Sequence, residues 1–226
     1  MHLELSELLA CPSCGPRHGV VVSVDRIERR RVLEGFLSCP TCESRFPIRG
    51  GVIEFGTESG PEGEPAADAS ATRTAVAGRA AGGAGGGDGP GSDDALRLAA
   101  LLDLREGGGF VLLGRGLYGA AAGTAELAPG VELLALVGVR EAVVRAPRVS
   151  SAAGVSETSL PLRDLRLRGA ALRGGGAAAL VEATRTVRPG GRVIVLRPTS
   201  ETLEATADLP LEVVVAEEAA IVALRR

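Results

Sequence analysis

The sequence contains no lysine, asparagine, glutamine or tryptophan, and aromatic residues make up only 2% of it. The shortage of aromatic side chains argues against a nucleic-acid platform on which bases stack. No apolar run reaches the ~18–20 residues that a membrane-spanning helix requires. The first residues, 1–4, have neither a positive region nor an apolar core, so we find no secretory signal. We therefore expect a cytoplasmic protein without a membrane partner.

Positive charge is carried by arginine alone, with 25 basic and 28 acidic residues and a net charge of −3. Residues 1–56 and residues 93–226 are each neutral, and residues 57–92 are acidic. Binding to nucleic acid through phosphates usually requires a basic excess, which no segment has. One locally basic set leaves two interpretations open, a solvated face, which we favour, and a surface for RNA or an acidic partner. Its members are Arg140, Arg145, Arg148, Arg163, Arg166, Arg168 and Arg173.

Composition changes sharply after Phe55 and divides the chain into three segments. Residues 57–92 are mostly glycine, alanine, proline, serine and acids, which cannot bury enough apolar surface to offset the entropy of ordering. We predict a cysteine-bearing module at 1–56, a flexible linker at 57–92 and a larger domain at 93–226.

The larger segment alternates helical and strand patterns, which predicts an α/β fold, Rossmann-like, with a mostly parallel sheet and an antiparallel edge. Short, wholly apolar runs indicate strands that are covered on both faces. The predicted helices are Ser92–Arg105, Ala120–Leu127, Ala177–Val187 and Thr199–Ala207. The predicted strands are Phe110–Leu113, Val131–Val137, Ala170–Leu172, Arg192–Leu196, Leu211–Val215 and Ala219–Leu224.

Four cysteines form two CxxC pairs, and 24 residues separate the pairs. Four thiolates in a tetrahedral array are a ligand set that zinc prefers, and they leave no open position for chemistry. The spacing predicts a zinc ribbon whose structural Zn²⁺ supplies much of the folding free energy. The alternatives are two redox dithiols or two disulfides, which are rare in a reducing compartment. The ligands are Cys11, Cys14, Cys39 and Cys42.

His18 and an arginine run are two further features of the module, and we expect both to be exposed to solvent. His18 is a conceivable ligand, but four thiolates already saturate the metal, so we expect a solvent-facing residue. The Arg29–Arg31 run is expected at a hairpin tip, with RNA contact as the alternative.

Three segments of the module together resemble a known family. They are Leu8–Cys14, Leu37–Cys42 and Phe46–Val52, and they look like the small zinc-ribbon activator of tRNA and release-factor methyltransferases. Phe46 and Gly50 stand where that family has Tyr and Asp. The resemblance implies that the ribbon stabilises a methyltransferase partner through apolar contact while its zinc does no chemistry. A ribosomal-RNA guanine methyltransferase family also begins with a four-Cys ribbon, but its sequence after the two CxxC pairs differs more from this one.

A glycine-rich turn, Gly114–Gly119, follows the first predicted strand of the larger domain and opens a helix. Such a turn lets the backbone approach a nucleotide closely, and a simple glycine-rich turn is the alternative. With Ser159–Asp164 and Glu182–Arg192, it resembles the motifs of a class I S-adenosylmethionine-dependent methyltransferase. The resemblance implies that Gly114, Gly116 and Gly119 contact the cofactor, with Glu141 serving its ribose.

The departures from that family are specific. Leu112 stands where an acid precedes the first glycine, and Leu136–Arg140 offers no acid after the second strand. Each missing charge-assisted hydrogen bond costs roughly 1.5–3 kcal/mol. We find no convincing nucleophile or base, since Glu157 and Asp164 are the only acids near the expected site.

The leading functional hypothesis is a non-catalytic binding, scaffold or methyltransferase-activating protein; the alternative is an active methyltransferase on RNA or protein. The ribbon's partner is either its own larger domain or a separate methyltransferase. We favour docking within the chain, because a linker of this length gives a millimolar effective concentration. Leu5, Leu8, Leu9 and Ile53 are the expected apolar contacts.

Overall fold

The computed structural model of the protein describes residues 1–56, 90–104, 107–138 and 146–226. Six strands precede the first helix: β1 Ala10–Cys11, β2 Gly15–Gly19, β3 Val21–Glu28, β4 Arg31–Ser38, β5 Arg45–Arg49 and β6 Val52–Glu54. Seven follow it: β7 Gly109–Leu113, β8 Val131–Val137, β9 Val149–Ala153, β10 Leu167–Arg173, β11 Val187–Leu196, β12 Leu211–Glu217 and β13 Ala220–Arg225. The α-helices are α1 Pro90–Leu101, α2 Ala121–Leu127, α3 Ala177–Thr186 and α4 Ser200–Ala205. Short 3-10 helices span Leu3–Glu7, Arg115–Ala120 and Thr206–Asp208.

Eleven strands form one continuous sheet in the order β12-β13-β11-β10-β7-β8-β9-β6-β5-β4-β3. The central neighbours from β11 to β6 are parallel, and both ends of the sheet are antiparallel. The mostly parallel α/β fold and its antiparallel edge are therefore as predicted. Among the described residues, no helix is long and apolar enough to span a membrane.

The two faces of the sheet belong to two different cores. Leu113 and Leu133 point to the face covered by α1 and α2, whereas Leu112 and Leu134 point to the opposite face. This alternation follows from the two-residue period of a strand. The second core also contains Leu9 and other apolar residues of the first 56, so the ribbon and the larger domain share one hydrophobic cluster.

The ribbon joins the sheet through β6, which pairs with β9 in parallel register, Ile53 lying opposite Ala152. The Phe55 amide extends the ladder by donating to the Ala153 carbonyl at 3.0 Å. Gly154 lies beside this junction at φ +71°, and a Cβ there would be 2.4 Å from the Gly56 nitrogen. Only glycine allows this close approach without strain.

A second contact connects the first strand of the ribbon to the segment before β10. The Ala10 amide donates to the Pro161 carbonyl at 2.9 Å, and the Arg163 amide donates to the Leu8 carbonyl at 2.8 Å. In the structure the ribbon therefore contacts residues of the larger domain of the same chain. The four apolar contacts expected for this docking, Leu5, Leu8, Leu9 and Ile53, are at most 8% exposed.

Several predicted boundaries were wrong. The helix predicted from Ser92 begins at Pro90 and ends at Leu101. Helix α3 ends at Thr186, and the Pro-Gly-Gly turn lies inside β11 as an irregularity of the ladder. Val181, predicted on the buried stripe of α3, is 44% exposed. The predicted linker, 57–92, lies outside the described residues except for 90–92, which open α1.

Strand β9 was missed entirely, although it carries the ribbon. Its sequence, Val-Ser-Ser-Ala-Ala, has only one large aliphatic residue, so it lacks the apolar run that marked the other parallel strands. Burial of Ser150 and Ser151 is compatible with a strand because their backbone groups are paired on both sides.

Candidate metal centre and candidate cofactor site

The four cysteines come together at one end of the ribbon. Cys11 ends β1, Cys39 follows β4, and the other two lie in the turns between them and the next strands. All four Sγ atoms lie within 4.8 Å of one another. The Cys11–Cys42 separation is 3.6 Å and the Cys14–Cys39 separation is 3.8 Å.

These separations fit a four-coordinate metal and not a disulfide. A tetrahedral ion about 2.3 Å from each sulfur requires sulfurs roughly 3.8 Å apart, whereas a disulfide bond is about 2.05 Å long. The four cysteines are therefore positioned to bind a metal.

Each CxxC pair forms a tight turn, or knuckle, and the two knuckles have the same backbone conformation at one position. The residue after the second cysteine of each pair, Gly15 or Glu43, has a positive φ of 89° or 61°. In the second knuckle, the Glu43 amide donates to the Cys39 carbonyl at 2.9 Å and the Thr41 amide points at the Cys39 sulfur at 3.4 Å. The turn therefore directs the Thr41 N–H toward the Cys39 sulfur, which stabilises a thiolate there.

Without a cation the clustered thiols oppose one another's ionisation. Hydrogen bonding within the cluster, led by Cys42, raises the pKa of Cys14 to about 12, and burial raises the pKa of Cys11. Hydrogen bonds from Ser44 lower the pKa of Cys42 to about 6. Four thiolates this close together need a bound cation to offset their mutual repulsion.

His18 and the arginine run occupy the places expected, with one exception. His18 is exposed on β2, its Nδ1 3.0 Å from the Cys14 carbonyl oxygen. Arg29 and Arg30 form the turn between β3 and β4. Arg31 is not simply solvated, because its guanidinium is half-buried and donates to the Val149 carbonyl of the larger domain.

The glycine-rich turn lies at the carboxyl end of β7, as predicted. The Gly114 amide donates to the Ala171 carbonyl of β10 at 2.8 Å, and a 3-10 helix begins at Arg115. The Arg115 amide donates to Glu157 Oε1 at 2.7 Å. Glu157, one of the two acids noted from the sequence, therefore binds the turn itself.

Two of the three glycines pack closely against side chains of the protein. A Cβ on Gly114 would lie 2.6 Å from Glu157 Oε1, and one on Gly116 would lie 3.1 Å from Arg173 Cβ. Arg173 is held in place by an ion pair with Asp94. Around Gly119 a Cβ would meet nothing within 4 Å. The close packing of this turn is thus explained without a ligand.

The described part of this edge does not fit the ribose of S-adenosylmethionine. Leu112 is fully buried in the core, and β8 ends at Val137 and is followed by Gly138, so neither position offers a carboxylate. The predicted ribose residue, Glu141, lies outside the described residues, together with Arg140 and Arg145.

The Ser159–Asp164 segment, which resembled a cofactor-site motif, contacts the ribbon instead. Asp164, the second acid noted from the sequence, pairs with Arg185 at 2.6 Å. Arg185 also binds Glu182 at 2.8 Å and donates to the Leu160 and Leu162 carbonyls at 3.1 and 2.8 Å. Nothing in the sequence pattern marked Arg185 as the residue that holds the docking segment.

The basic set is not one surface within the described residues. Arg148 donates to the Ala125 carbonyl, Arg168 to the Gly107 and Asp103 carbonyls, and Arg173 pairs with Asp94. These arginines stabilise separate loops.

Comparison with known proteins identifies the ribbon. Residues 2–51 match the family model described as Trm112p-like protein. The match includes all four cysteines, so the N-terminal Trm112p-like ribbon predicted from the motifs is confirmed. No curated protein sequence matches the chain.

Solved methyltransferase structures resemble the rest of the chain. A SAM-dependent O-methyltransferase from Thermotoga maritima is 18% identical, with a TM-score of 0.46, covering 59% of this chain and 64% of its own. A geranyl diphosphate methyltransferase in complex with SAM is 14% identical, with a TM-score of 0.44, covering 60% and 85%. The mycinamycin-pathway methyltransferase MycE is 14% identical, with a TM-score of 0.46, covering 60% and 48%.

The chain spans just under two thirds of the Thermotoga protein. Residues 2–51 are thus similar to Trm112p-like proteins, and the rest of the fold is similar to those of solved methyltransferases.

Proposed function

We propose that the protein is a non-catalytic binding or scaffold protein in which a structural Zn²⁺ ribbon stabilises the methyltransferase-like domain of its own chain. The observation that carries the proposal is the parallel pairing of β6 with β9. It places the ribbon at the edge of the larger domain and merges their cores around Leu9. On this proposal, residues 1–56 and 93–226 are the two folding units, and 57–92 connects them.

Zinc supplies folding free energy in this role, not chemistry. Four protein sulfurs complete its coordination and leave no position for substrate. The ribbon then presents the backbone of β6 and the apolar face around Leu9 to the larger domain.

The non-catalytic part of the proposal is supported by the glycine-rich turn. Its amide is taken by Glu157 and its glycines accommodate Glu157 and Arg173. The missing carboxylates at Leu112 and at the described end of β8 remove hydrogen bonds that a ribose would need.

An active S-adenosylmethionine-dependent methyltransferase is the second candidate. It is favoured by the position of Gly114–Gly119 at the carboxyl end of β7, the edge at which open α/β sheets bind nucleotides. Gly119, around which space is open, would lie nearest the cofactor, and Glu141 would serve the ribose.

Calorimetry with S-adenosylmethionine separates the two candidates. We expect no heat of binding up to about millimolar ligand. A dissociation constant in the micromolar range, abolished in Gly116→Asp but retained in Arg188→Asp on the exposed amino end of β11, would overturn the non-catalytic proposal.

Small-angle scattering tests the docked arrangement independently. We expect a compact monomer, because the ribbon is part of the sheet. Two separated lobes would overturn stabilisation within the chain, whatever the calorimetry gives.

A further inference from the structure

A cavity of about 420 Å³ lies between the ribbon and the larger domain. The ribbon contributes His2, Arg29 and Arg31, and the larger domain contributes Glu132 and Arg148. Glu132 is the second residue of β8 and Arg148 directly precedes β9, so the cavity lies at the amino ends of the parallel strands. The glycine-rich turn is at their carboxyl ends, and the two sites are therefore distinct.

The cavity concentrates buried polar atoms that have no hydrogen-bond partner. Four of the seven such side-chain atoms found in the described residues belong to residues that line it: His2 Nδ1, Arg31 Nη1, Glu132 Oε2 and Arg148 Nε. Buried polar groups are normally satisfied, so a cluster of unsatisfied ones in a cavity indicates a missing ligand or water.

The charges of the lining select the ligand's sign. Three arginines, Arg29, Arg31 and Arg148, line the cavity together with one acidic residue, Glu132. Arg31 and Arg148 are already anchored, each donating to a backbone carbonyl, Val149 and Ala125 respectively. Their free N–H groups are thus preorganised for an acceptor and not available to a cation.

The size and remaining walls select the class of anion. A volume of about 420 Å³ is in the range of small-molecule pockets and exceeds what a bare inorganic ion fills. Leu33 and Pro147 contribute apolar wall beside the arginines. Guanidinium groups match phosphate oxygens through paired N–H donors.

We propose that this cavity binds the phosphate group of a small phosphorylated organic molecule, which bridges the ribbon and the larger domain. The phosphate takes the free donors of Arg31 and Arg148, and Arg29 at the rim adds charge. Because both units supply donors, the ligand stabilises the docked arrangement by binding it selectively. The site is separate from the glycine-rich turn and requires neither S-adenosylmethionine nor catalysis.

Calorimetry and thermal unfolding at constant ionic strength test the proposal with three probes. Inorganic phosphate and ribose 5-phosphate are expected to bind and to raise the unfolding midpoint, the sugar phosphate more tightly, whereas ribose is not. Failure of both phosphates to bind at 10 mM, or equal binding of ribose, would overturn the proposal. A single-stranded oligoribonucleotide that bound far more tightly than ribose 5-phosphate would replace the small molecule by nucleic acid and also overturn it.

Two variants with opposite expected effects keep misfolding from imitating the result. Arg29→Gln, at an exposed turn, should weaken phosphate binding about threefold to tenfold by removing a nearby charge. Glu132→Gln should tighten it by a similar factor, because it removes the carboxylate that lines the cavity. Arg26→Gln, exposed on β3 and paired with Glu28, is the matched control and should bind as the wild type does. Unchanged affinity in both cavity variants would contradict the assigned site.

Discussion

The metal centre and the glycine-rich turn are both four-to-six-residue motifs, but the structure completes only one of them. At the metal centre, every ligand that the spacing predicts lies within 4.8 Å of the others. At the turn, the glycines lie where expected, yet Glu157 and Arg173 occupy the space that they provide. Correct placement of a motif on the fold therefore does not by itself establish a binding site.

The physical reason is the number of independent segments that each site needs. The sulfur cluster needs two knuckles, and each knuckle carries its own turn geometry. A nucleotide site of the resembled family also needs an acid within β7 and an acceptor at the end of β8. Leu112 and Val137 at those two positions are compatible with the fold but offer no carboxylate. The first kind of site is visible in a sequence, whereas the second depends on what neighbouring strands supply.

Cys39→Ser gives the largest expected effect and tests how far the two regions are coupled. We expect close to one zinc per chain in the wild type. The variant should lose it, because three sulfurs bind zinc far more weakly than four. Apparent binding free energies of structural zinc are about 10–16 kcal/mol, so the ribbon should unfold. Because its core is continuous with that of the larger domain, the unfolding midpoint of the larger domain should also fall.

Metal analysis and hydrogen exchange at β9 measure the two effects. Ser13→Ala changes an exposed residue of the first knuckle and should retain both metal and midpoint. A folded Cys39→Ser protein whose β9 amides stay protected would mean that the ribbon and the larger domain are energetically separate.

Leu9→Ala sharpens the comparison by weakening the docking without touching the metal ligands. Leu9 is fully buried in the shared core, and such a truncation costs about 2–5 kcal/mol. Chemical denaturation should show this loss while zinc content is unchanged. Val24→Ala, on a side chain 41% exposed, should change the free energy of unfolding by less than about 0.5 kcal/mol.

Arg185→Gln should have a smaller effect that depends on pH. Burial raises the pKa of Glu182, but the hydrogen bonds from Arg185 and the Leu160 amide outweigh it and leave the pKa below its usual value of 4.5. A depressed carboxyl pKa stabilises the fold above that usual value and loses its contribution as the pH falls through the folded-state value. The variant should therefore be about 2–4 kcal/mol less stable near pH 7.

Chemical denaturation of the wild type and of Arg185→Gln between pH 7 and pH 3 measures the difference in their free energies of unfolding. This difference, the stability gap, should narrow below about pH 4.5. Since metal release at low pH affects both proteins, the difference between them isolates the Arg185 contribution. Arg188→Gln, an exposed neighbour, should show no gap at any pH. A gap that stayed constant down to pH 3 would exclude Glu182 as the partner that matters.

Much of the fold followed from hydrophobic patterning, and what did not follow has a common cause. The run Val131–Val137 predicted both ends of β8 correctly, because a strand covered on both faces is mostly apolar. Strand β9 was missed because its burial depends on partners from a distant part of the chain. The metal ligands were predicted from the spacing of the cysteines. The contacts of Arg185 and the cavity around Glu132 involve residues from separate elements, so no single segment of sequence predicts them.

The junction of β6 and β9 also determines how the protein responds to dilution. Two separate chains dissociate as their concentration falls, but strands of one polypeptide meet at a fixed local concentration. The ratio of ribbon to methyltransferase-like domain is one to one by covalent linkage, at any level of expression. Since β9 is already paired with β8 and β6, a ribbon from another chain cannot pair with it unless β6 is displaced.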